Sequence, residues 1–366
     1  MMFHKISVCF MLLICGGCSI LRSDRPASSS WSVVGNRVDF VLPADDATFV
    51  FGVLTQKWDG KDFTQGMQVY HFTKAGPAAL DGCWFPGAEK TTGTRVTDDK
   101  IAVSANGKLF WCERLEKSWY SQEVTVPGGG TISAVQFVPD QVNPLVLVRA
   151  GDGQIEALLC PLDLSVCQKV NLTNAESAEV LGIAAQDGWL FVLGYATQSS
   201  IRNFAFLVDL GRSRTVDDVT GILTRAGLGG SKFVAVSAGN RSFWVAGKSG
   251  VSKFDPSTHQ LEGVVLKNHR GVITTSSIDN SALLIATSDY RNRRVSGVVG
   301  NTLSTKIHRA EQEDLNTQQL ANLAPSGTVT GIATLNHDVV ALVEVDGEQK
   351  IDLHTMGRDD FSAAQD

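Results

Sequence analysis

The sequence predicts an all-β protein built from a repeated unit of four short strands. The unit is clearest at residues 231–265, where apolar strand segments are separated by Gly239-Asn240, by residues 248–250 and by Pro256. The chain contains 35 glycines, which suits a protein with many tight turns. Related segments recur at irregular intervals of about forty to fifty residues. This spacing predicts a single β-propeller of about seven four-stranded blades, with six or eight as alternatives.

Turn signals between apolar segments place the elements in order. Asn106-Gly107, between two apolar runs, is a strong hairpin signal. The second strands of the blades are predicted to begin near Thr48, Lys108, Leu145, Trp189, Ser242, Ala282 and Val339. Two segments, 216–228 and 310–323, carry apolar residues at helical spacing and are interpreted as insertions between blades, the second as a short helix.

The N-terminal strand is predicted to close the ring. The last blade has no sequence for a fourth strand, because Met356 runs directly into a polar tail. Residues 31–34 form a spare strand signal ahead of the first blade. Pairing the spare strand with the last blade removes the exposed edges of the sheet. We therefore expect one propeller domain at 31–356, followed by a disordered tail at 357–366.

The first residues indicate export. Lys5 precedes a short apolar run that is too short to span a bilayer and is typical of a signal peptide, here residues 1–17. Gly16-Gly17-Cys18 resembles the lipobox of bacterial lipoproteins, although Cys15 stands where leucine is usual. The resemblance implies a lipid on Cys18, a flexible tether at 18–30 and, because Ser19 follows, attachment to the outer membrane of the cell envelope. The alternative is an ordinary cleaved signal with a chance cysteine.

The remaining four cysteines are disulfide candidates, because an exported chain meets oxidising conditions. Cys160 and Cys167 flank a short turn and are expected to pair. Cys83 and Cys112 then pair by default. The alternative is buried free thiols that pack as small hydrophobic groups.

Residues 243–256 resemble the repeat of β-propellers of the sensor and scaffold kind, with strand, Gly, loop, Gly, strand and Asp-Pro in that order. The resemblance implies the fold and no particular function. The predicted innermost strands carry mostly small residues, and Asp39 is the one carboxylate candidate among them, so we expect no catalytic site, no metal and no cofactor. The net charge of -6 argues against a nucleic-acid partner.

The loops between second and third strands lie on one face of a propeller and are the candidate binding face. Aromatic residues and arginine are enriched at interaction hot spots. The loops offer Trp58, Phe63, Tyr195, Arg202, Tyr290, Arg291, Arg293 and Arg294. The alternative for these loops is solvated surface with no partner. The sequence thus favours a non-catalytic scaffold, anchored in the membrane by lipid and binding other envelope proteins. The competing hypothesis is a glycan-binding module or a propeller enzyme that acts on polysaccharide.

Overall fold

The computed structural model describes most of the chain from Ser29 to Gly357. The described ranges are 29–45, 47–58, 60–139, 141–151, 154–174, 178–197, 201–211, 215–228, 233–239, 241–247, 250–266, 272–279, 282–290, 302–311, 317–323, 327–336 and 338–357. The predicted signal peptide, Cys18 and most of the predicted tether and tail lie outside these residues.

The described residues form seven antiparallel sheets of four strands each, so the predicted propeller is confirmed. The closing strand is β1 (Ser29–Val34). Blade 1 contains β2 (Arg37–Asp45), β3 (Thr48–Trp58), β4 (Phe63–Thr73) and β5 (Gly76–Pro86). Blade 2 contains β6 (Thr91–Thr97), β7 (Lys100–Ala105), β8 (Lys108–Leu115) and β9 (Ser118–Val124). Blade 3 contains β10 (Thr131–Phe137), β11 (Leu145–Gly151), β12 (Gln154–Cys160) and β13 (Gln168–Asn174).

The other blades repeat the pattern. Blade 4 contains β14 (Ala178–Gln186), β15 (Trp189–Thr197), β16 (Ile201–Asp209) and β17 (Val216–Asp218), and it is followed by α1 (Thr220–Arg225). Blade 5 contains β18 (Phe233–Gly239), β19 (Ser242–Gly247), β20 (Gly250–Asp255) and β21 (Gln260–Val265). Blade 6 contains β22 (Val272–Asp279), β23 (Ala282–Tyr290), β24 (Thr302–Glu311) and β25 (Thr317–Leu323). Blade 7 contains β26 (Gly327–Leu335), β27 (Asp338–Val345), β28 (Lys350–Met356) and β1.

The first strands of the blades form a closed ring. Each first strand contacts the first strand of the next blade, and β26 contacts β2 to complete the circle. Neighbouring first strands run in the same direction, as hydrogen bonds between blades 2 and 3 show. The hydroxyl oxygen of Thr92 accepts from the backbone N–H of Val135, and that of Thr94 accepts from the backbone N–H of Phe137. Residue numbers therefore increase in the same direction along β6 and β10. Equivalent ends of all blades therefore lie on the same face of the ring.

The two faces differ in the turns that form them. We call the face with the turns between first and second strands, and between third and fourth strands, the AB face. The opposite face, with the turns between second and third strands and the links between blades, is the BC face. In blade 7, Leu335 pairs with Asp338 and Val339 with Met356 at the AB end. Ser29 pairs with Thr355, so the chain enters the propeller from the AB face.

Ring closure by the N-terminal strand is confirmed. β1 pairs with β28 along its whole length and supplies the outer strand of blade 7. Trp31 reaches from β1 to blade 1, where its ring meets Phe72 edge-on with centroids 5.3 Å apart. A side chain at Gly76 would collide with the Trp31 indole, so this glycine makes room for the contact.

The apolar core lies mainly between adjacent blades. Phe49, Phe51 and Phe72 of blade 1 are fully buried against Leu342 and Leu353 of blade 7. Six-residue α1 covers the boundary between blades 4 and 5, with Leu223 buried there. Since burial of apolar area stabilises by about 25 cal/mol per Å², these interfaces are the principal source of stability for the ring.

Three predicted elements are corrected by the structure. Within 310–323, the described residues are not helical: β24 ends at Glu311, and residues 317–323 pair with β24 as its outer neighbour. The open sheet edge offers unpaired backbone groups, which outweigh a weak helical spacing. Residues 216–218 likewise pair as a strand, so the predicted insertion is helical only at α1. In blade 2 the second strand is β7 rather than the predicted segment at Lys108, because β6 supplies a first strand that the sequence did not reveal.

Candidate functional site

Both predicted disulfides are present. Cys83 of β5 and Cys112 of β8 are fully buried and join blade 1 to blade 2, with their Cα atoms 5.7 Å apart. Cys160 and Cys167 close the turn between the third and fourth strands of blade 3. The first disulfide therefore links two blades, whereas the second holds one loop on the AB face.

An aromatic pair projects from the BC face of blade 1. Trp58 ends β3 and Phe63 begins β4, and the two residues pair directly across the hairpin. Their side chains are 57% and 70% exposed, with ring centroids 5.1 Å apart and planes inclined by 55°. Both strands have 11 residues, so the pair stands at the end of a long and continuous hairpin. Next to Trp58, Lys57 of β3 contacts β5, with its Nζ 4.7 Å from the centre of the Trp84 ring.

Of the other predicted face residues, Tyr195 and Arg202 lie on β15 and β16 of blade 4, away from this pair. Tyr195 is buried, and its hydroxyl donates to the Glu179 carboxylate, so its ring is not available to a partner. Arg202 is exposed near the start of β16. Tyr290 ends β23 and pairs with Thr302, while Arg291, Arg293 and Arg294 lie outside the described residues.

The centre of the BC face holds a charge cluster that sequence reasoning missed apart from Asp39. The Asp39 carboxylate is buried and accepts from Arg37 Nε at 2.5 Å and from the Thr91 backbone N–H at 2.7 Å. Arg37 also donates to the Glu89 carbonyl. Burial alone lowers the pKa of Arg37, but the hydrogen bond and charge of Asp39 outweigh it and raise this pKa above its ordinary value. The interactions tie the first strand of blade 1 to the start of blade 2.

Lys90 extends the cluster across the ring. Its Nζ lies 2.5 Å from a Glu179 carboxylate oxygen and donates to the Val180 carbonyl at 2.8 Å. Lys90 precedes the first strand of blade 2, and Glu179 belongs to the first strand of blade 4, so this contact passes over blade 3. We call Arg37, Asp39, Lys90 and Glu179 the central charge cluster. Within the described part of the chain, no group of three or more His, Cys, Asp or Glu residues is arranged to hold a metal ion.

Glu344 lies near this cluster at the end of β27. Burial raises the pKa of its carboxyl group, while the charge of Arg37 lowers it and that of Asp346 raises it further, with a net increase. The cluster thus combines acidic and basic groups that largely neutralise one another, as expected for links between blades.

The comparisons with known proteins show the fold. No protein-family model and no curated protein matches the chain. Among solved structures, the Dos1 propeller has a TM-score of 0.58 at 10% identity and covers 91% of this chain and 95% of that one. The propeller domain of Cps50 (Swd1) from Myceliophteria thermophila has a TM-score of 0.55 at 11% identity, with coverages of 89% and 98%. BBS1N in complex with ARL6DN has a TM-score of 0.51 at 12% identity, with coverages of 91% and 97%. At these identities the likeness establishes a seven-bladed propeller and nothing finer.

Proposed function

We propose that the protein is a non-catalytic scaffold, anchored by lipid in the bacterial envelope, which binds another envelope protein through Trp58 and Phe63 on its BC face. The observation that carries this proposal is the exposure of two adjacent aromatic rings at the end of a long hairpin. Large aromatic side chains lose a favourable burial energy when they remain in water. A partner that covers both rings recovers that energy, which is why such pairs are frequent hot spots of interfaces.

The inclination of the two rings favours a protein partner over a glycan. A sugar ring stacks best on a flat aromatic surface, whereas planes inclined by 55° present an angular ridge. Such a ridge fits a pocket between side chains, where edge and face contacts are both available. Glycan binding remains the second candidate, because Trp58 is 57% exposed and a sugar can stack on its indole ring.

The central charge cluster supports a non-catalytic role. A general acid or base needs access to substrate, but the Asp39 carboxylate is buried and already accepts from Arg37 and Thr91. Lys90 and Glu179 pair with each other. These ion pairs link blades of the ring, although Arg37, Lys90 and Glu179 stay about two fifths exposed. We therefore assign recognition on the BC face to the exposed aromatic pair.

A similar fold supplies a precedent for a partner. BBS1N, whose propeller resembles this one, was solved in complex with ARL6DN. The seven-bladed fold presents its loops on two broad, fixed faces, which suits it to hold partners without moving.

The lipid anchor is proposed from Gly16-Gly17-Cys18, and the position of β1 is compatible with it. Residues 18–28 lie between the proposed lipid site and the first strand of the ring, so the anchor need not disturb the propeller. Cys18→Ala should release the protein from membranes into the soluble fraction. A variant that stays with the membranes after a salt wash contradicts the anchor.

The partner is tested by crosslinking in the native envelope, followed by mass spectrometry. Trp58→Ala/Phe63→Ala should lose the crosslinked protein, since truncation at an aromatic hot spot costs about 2 kcal/mol or more, roughly 30-fold in Kd. Tyr120→Ala is the matched control, because Tyr120 is an aromatic residue with 54% exposure on the outer strand of blade 2. Retention of a specific glycan without any protein, or equal capture by both variants, overturns the scaffold function.

A further inference from the structure

A second apolar surface lies on the AB face of blades 2 and 3. Four aliphatic side chains are exposed there in turns of adjacent blades, and we call them the aliphatic patch: Leu115, Val142, Leu162 and Val166. Leu115 ends β8 and lies beside the turn that leads to β9. Val142 occupies the turn before β11 and is 94% exposed. Four exposed aliphatic residues on the same face of two adjacent blades are a candidate interaction surface.

The local structure prevents these side chains from folding back into the core. Leu162 and Val166 belong to the loop that the Cys160–Cys167 disulfide closes, while Leu164 between them is buried. Asp163 holds the same loop by accepting from the Ser165 backbone N–H at 3.0 Å and from its hydroxyl at 2.8 Å. The loop and its disulfide therefore keep Leu162 and Val166 exposed to solvent. This exposure is unfavourable in free energy, and burial against a binding partner would reverse it.

The chain enters the propeller from this same face. Ser29 begins β1 at the AB end of blade 7, because it pairs with Thr355 near the end of β28. Eleven residues, 18–28, join the proposed lipid site to this point. Eleven residues span at most about 40 Å when fully extended. The lipid on Cys18 therefore lies within about 40 Å of the AB end of blade 7, where β1 begins.

We infer that the AB face rests on the phospholipid bilayer that carries the anchor, with the aliphatic patch as a second contact on the lipid. The inference rests on the proposed lipid anchor. Blade 7 and blades 2 and 3 lie on different sides of the ring, so tether and patch together fix an orientation that the tether alone leaves free. The tether keeps the patch at an effective concentration on the order of millimolar, so a weak contact with lipid is sufficient.

The charges around the patch favour neutral lipid contact over an anionic site. Glu116 and Lys117 follow Leu115 and carry opposite charges, and Asp163 adds one negative charge beside Leu162. Hydrogen bonds from Ser165, outweighing the small effect of burial, lower the pKa of Asp163, so it remains ionised at neutral pH. Contact therefore depends on insertion of aliphatic groups and should change little with salt. In this orientation Trp58 and Phe63 point away from the bilayer.

The test uses the chain from residue 18 to 366, in which Cys18 is the one thiol outside the two disulfides. Cys18 is coupled to a maleimide phospholipid in vesicles of phosphatidylethanolamine and phosphatidylglycerol, so the result does not depend on natural lipidation. A dye is placed by an unnatural amino acid at position 142, or at position 60 on the BC face. Quenching by nitroxide lipids then reports which face contacts the bilayer.

We expect quenching at position 142 to exceed that at position 60 at least threefold. Leu162→Asp/Val166→Asp should reduce quenching at 142 to the level at 60, whereas Phe63→Asp should leave it unchanged. Circular dichroism checks that each variant keeps its fold. Equal quenching at the two positions, or stronger quenching at 60, overturns the inference. If a photocrosslinker at 142 captures an envelope protein and quenching is symmetric, the patch binds protein and the lipid contact is wrong. If the protein in cells proves to carry no lipid on Cys18, the proposed lipid anchor is wrong. The quenching result in vesicles would be unaffected, because Cys18 is coupled to lipid chemically there.

Discussion

Loss of the Cys83–Cys112 disulfide should destabilise the propeller more than loss of the Cys160–Cys167 disulfide. The bridged positions are 29 residues apart in the first case and 7 in the second. The chain-entropy relation for a crosslinked unfolded chain gives about 3.6 kcal/mol for the longer loop and about 2.4 kcal/mol for the shorter one. Both sulfurs of the first bridge are buried between blades, so their removal also leaves a small cavity. We expect the difference between the two losses to exceed about 1 kcal/mol.

The assay is equilibrium unfolding in guanidinium chloride of Cys83→Ala/Cys112→Ala and of Cys160→Ala/Cys167→Ala, compared with the native chain. The two double variants are matched controls for each other, because each removes one disulfide and two thiols. If the slope of unfolding free energy against denaturant concentration is equal in the three proteins, their unfolding free energies can be compared directly. If the Cys160 variant loses as much free energy as the Cys83 variant, or more, the loop-length argument is refuted.

Two further predictions concern single side chains. Trp31→Ala removes the edge contact with Phe72 that joins β1 to blade 1, and it should lower the unfolding free energy by about 2 kcal/mol; unchanged stability would show that β1 closes the ring by backbone pairing alone. In blade 3, burial raises the pKa of the Glu156 carboxyl group, but Lys169 and Arg149 outweigh it and hold the pKa below its ordinary value near 4.5. The ionised group therefore stabilises the fold above pH 4.5, and this contribution is lost as pH falls through the lower folded-state pKa. Glu156→Gln should lower the free energy of unfolding by about 3 kcal/mol at pH 7 and by less at pH 3. The melting temperatures of the variant and the native chain should therefore become more similar in acid, and a difference that does not shrink contradicts the prediction.

Much of the architecture followed from local patterns in the chain. Gly239-Asn240 and Asp255-Pro256 mark turns whose chemistry depends on near neighbours, and Asp255 indeed accepts from the Ser257 backbone N–H and hydroxyl. The closing strand was predictable because an unpaired edge in the last blade required a partner. The Cys160–Cys167 pairing followed from proximity along the chain.

The missed features depend on contacts between distant residues. β6 carries few large apolar residues, so its sequence gives a weak strand signal. Its Gly93 lies against the Phe40 ring of blade 1, where an added Cβ would be only 3.0 Å from the ring. Tyr195 appeared to be a loop residue, but β15 continues past it and its hydroxyl meets Glu179. Lys90 and Glu179 are 89 positions apart, so no local pattern announces their contact.

β1 is the first strand of the ring to be synthesised, but its partner, β28, is the last. Ser32 of β1 donates its hydroxyl hydrogen to Asp352, 320 positions later, so this contact forms only after nearly the whole chain exists. Until β28 is present, β1 has no partner, and a chain interrupted before that point leaves its last sheet open to other strands. Bringing together ends this distant carries a large loop-closure cost and makes completion slow. The ring can therefore close only when the chain extends through β28, and loss of either β1 or β28 acts on the same blade.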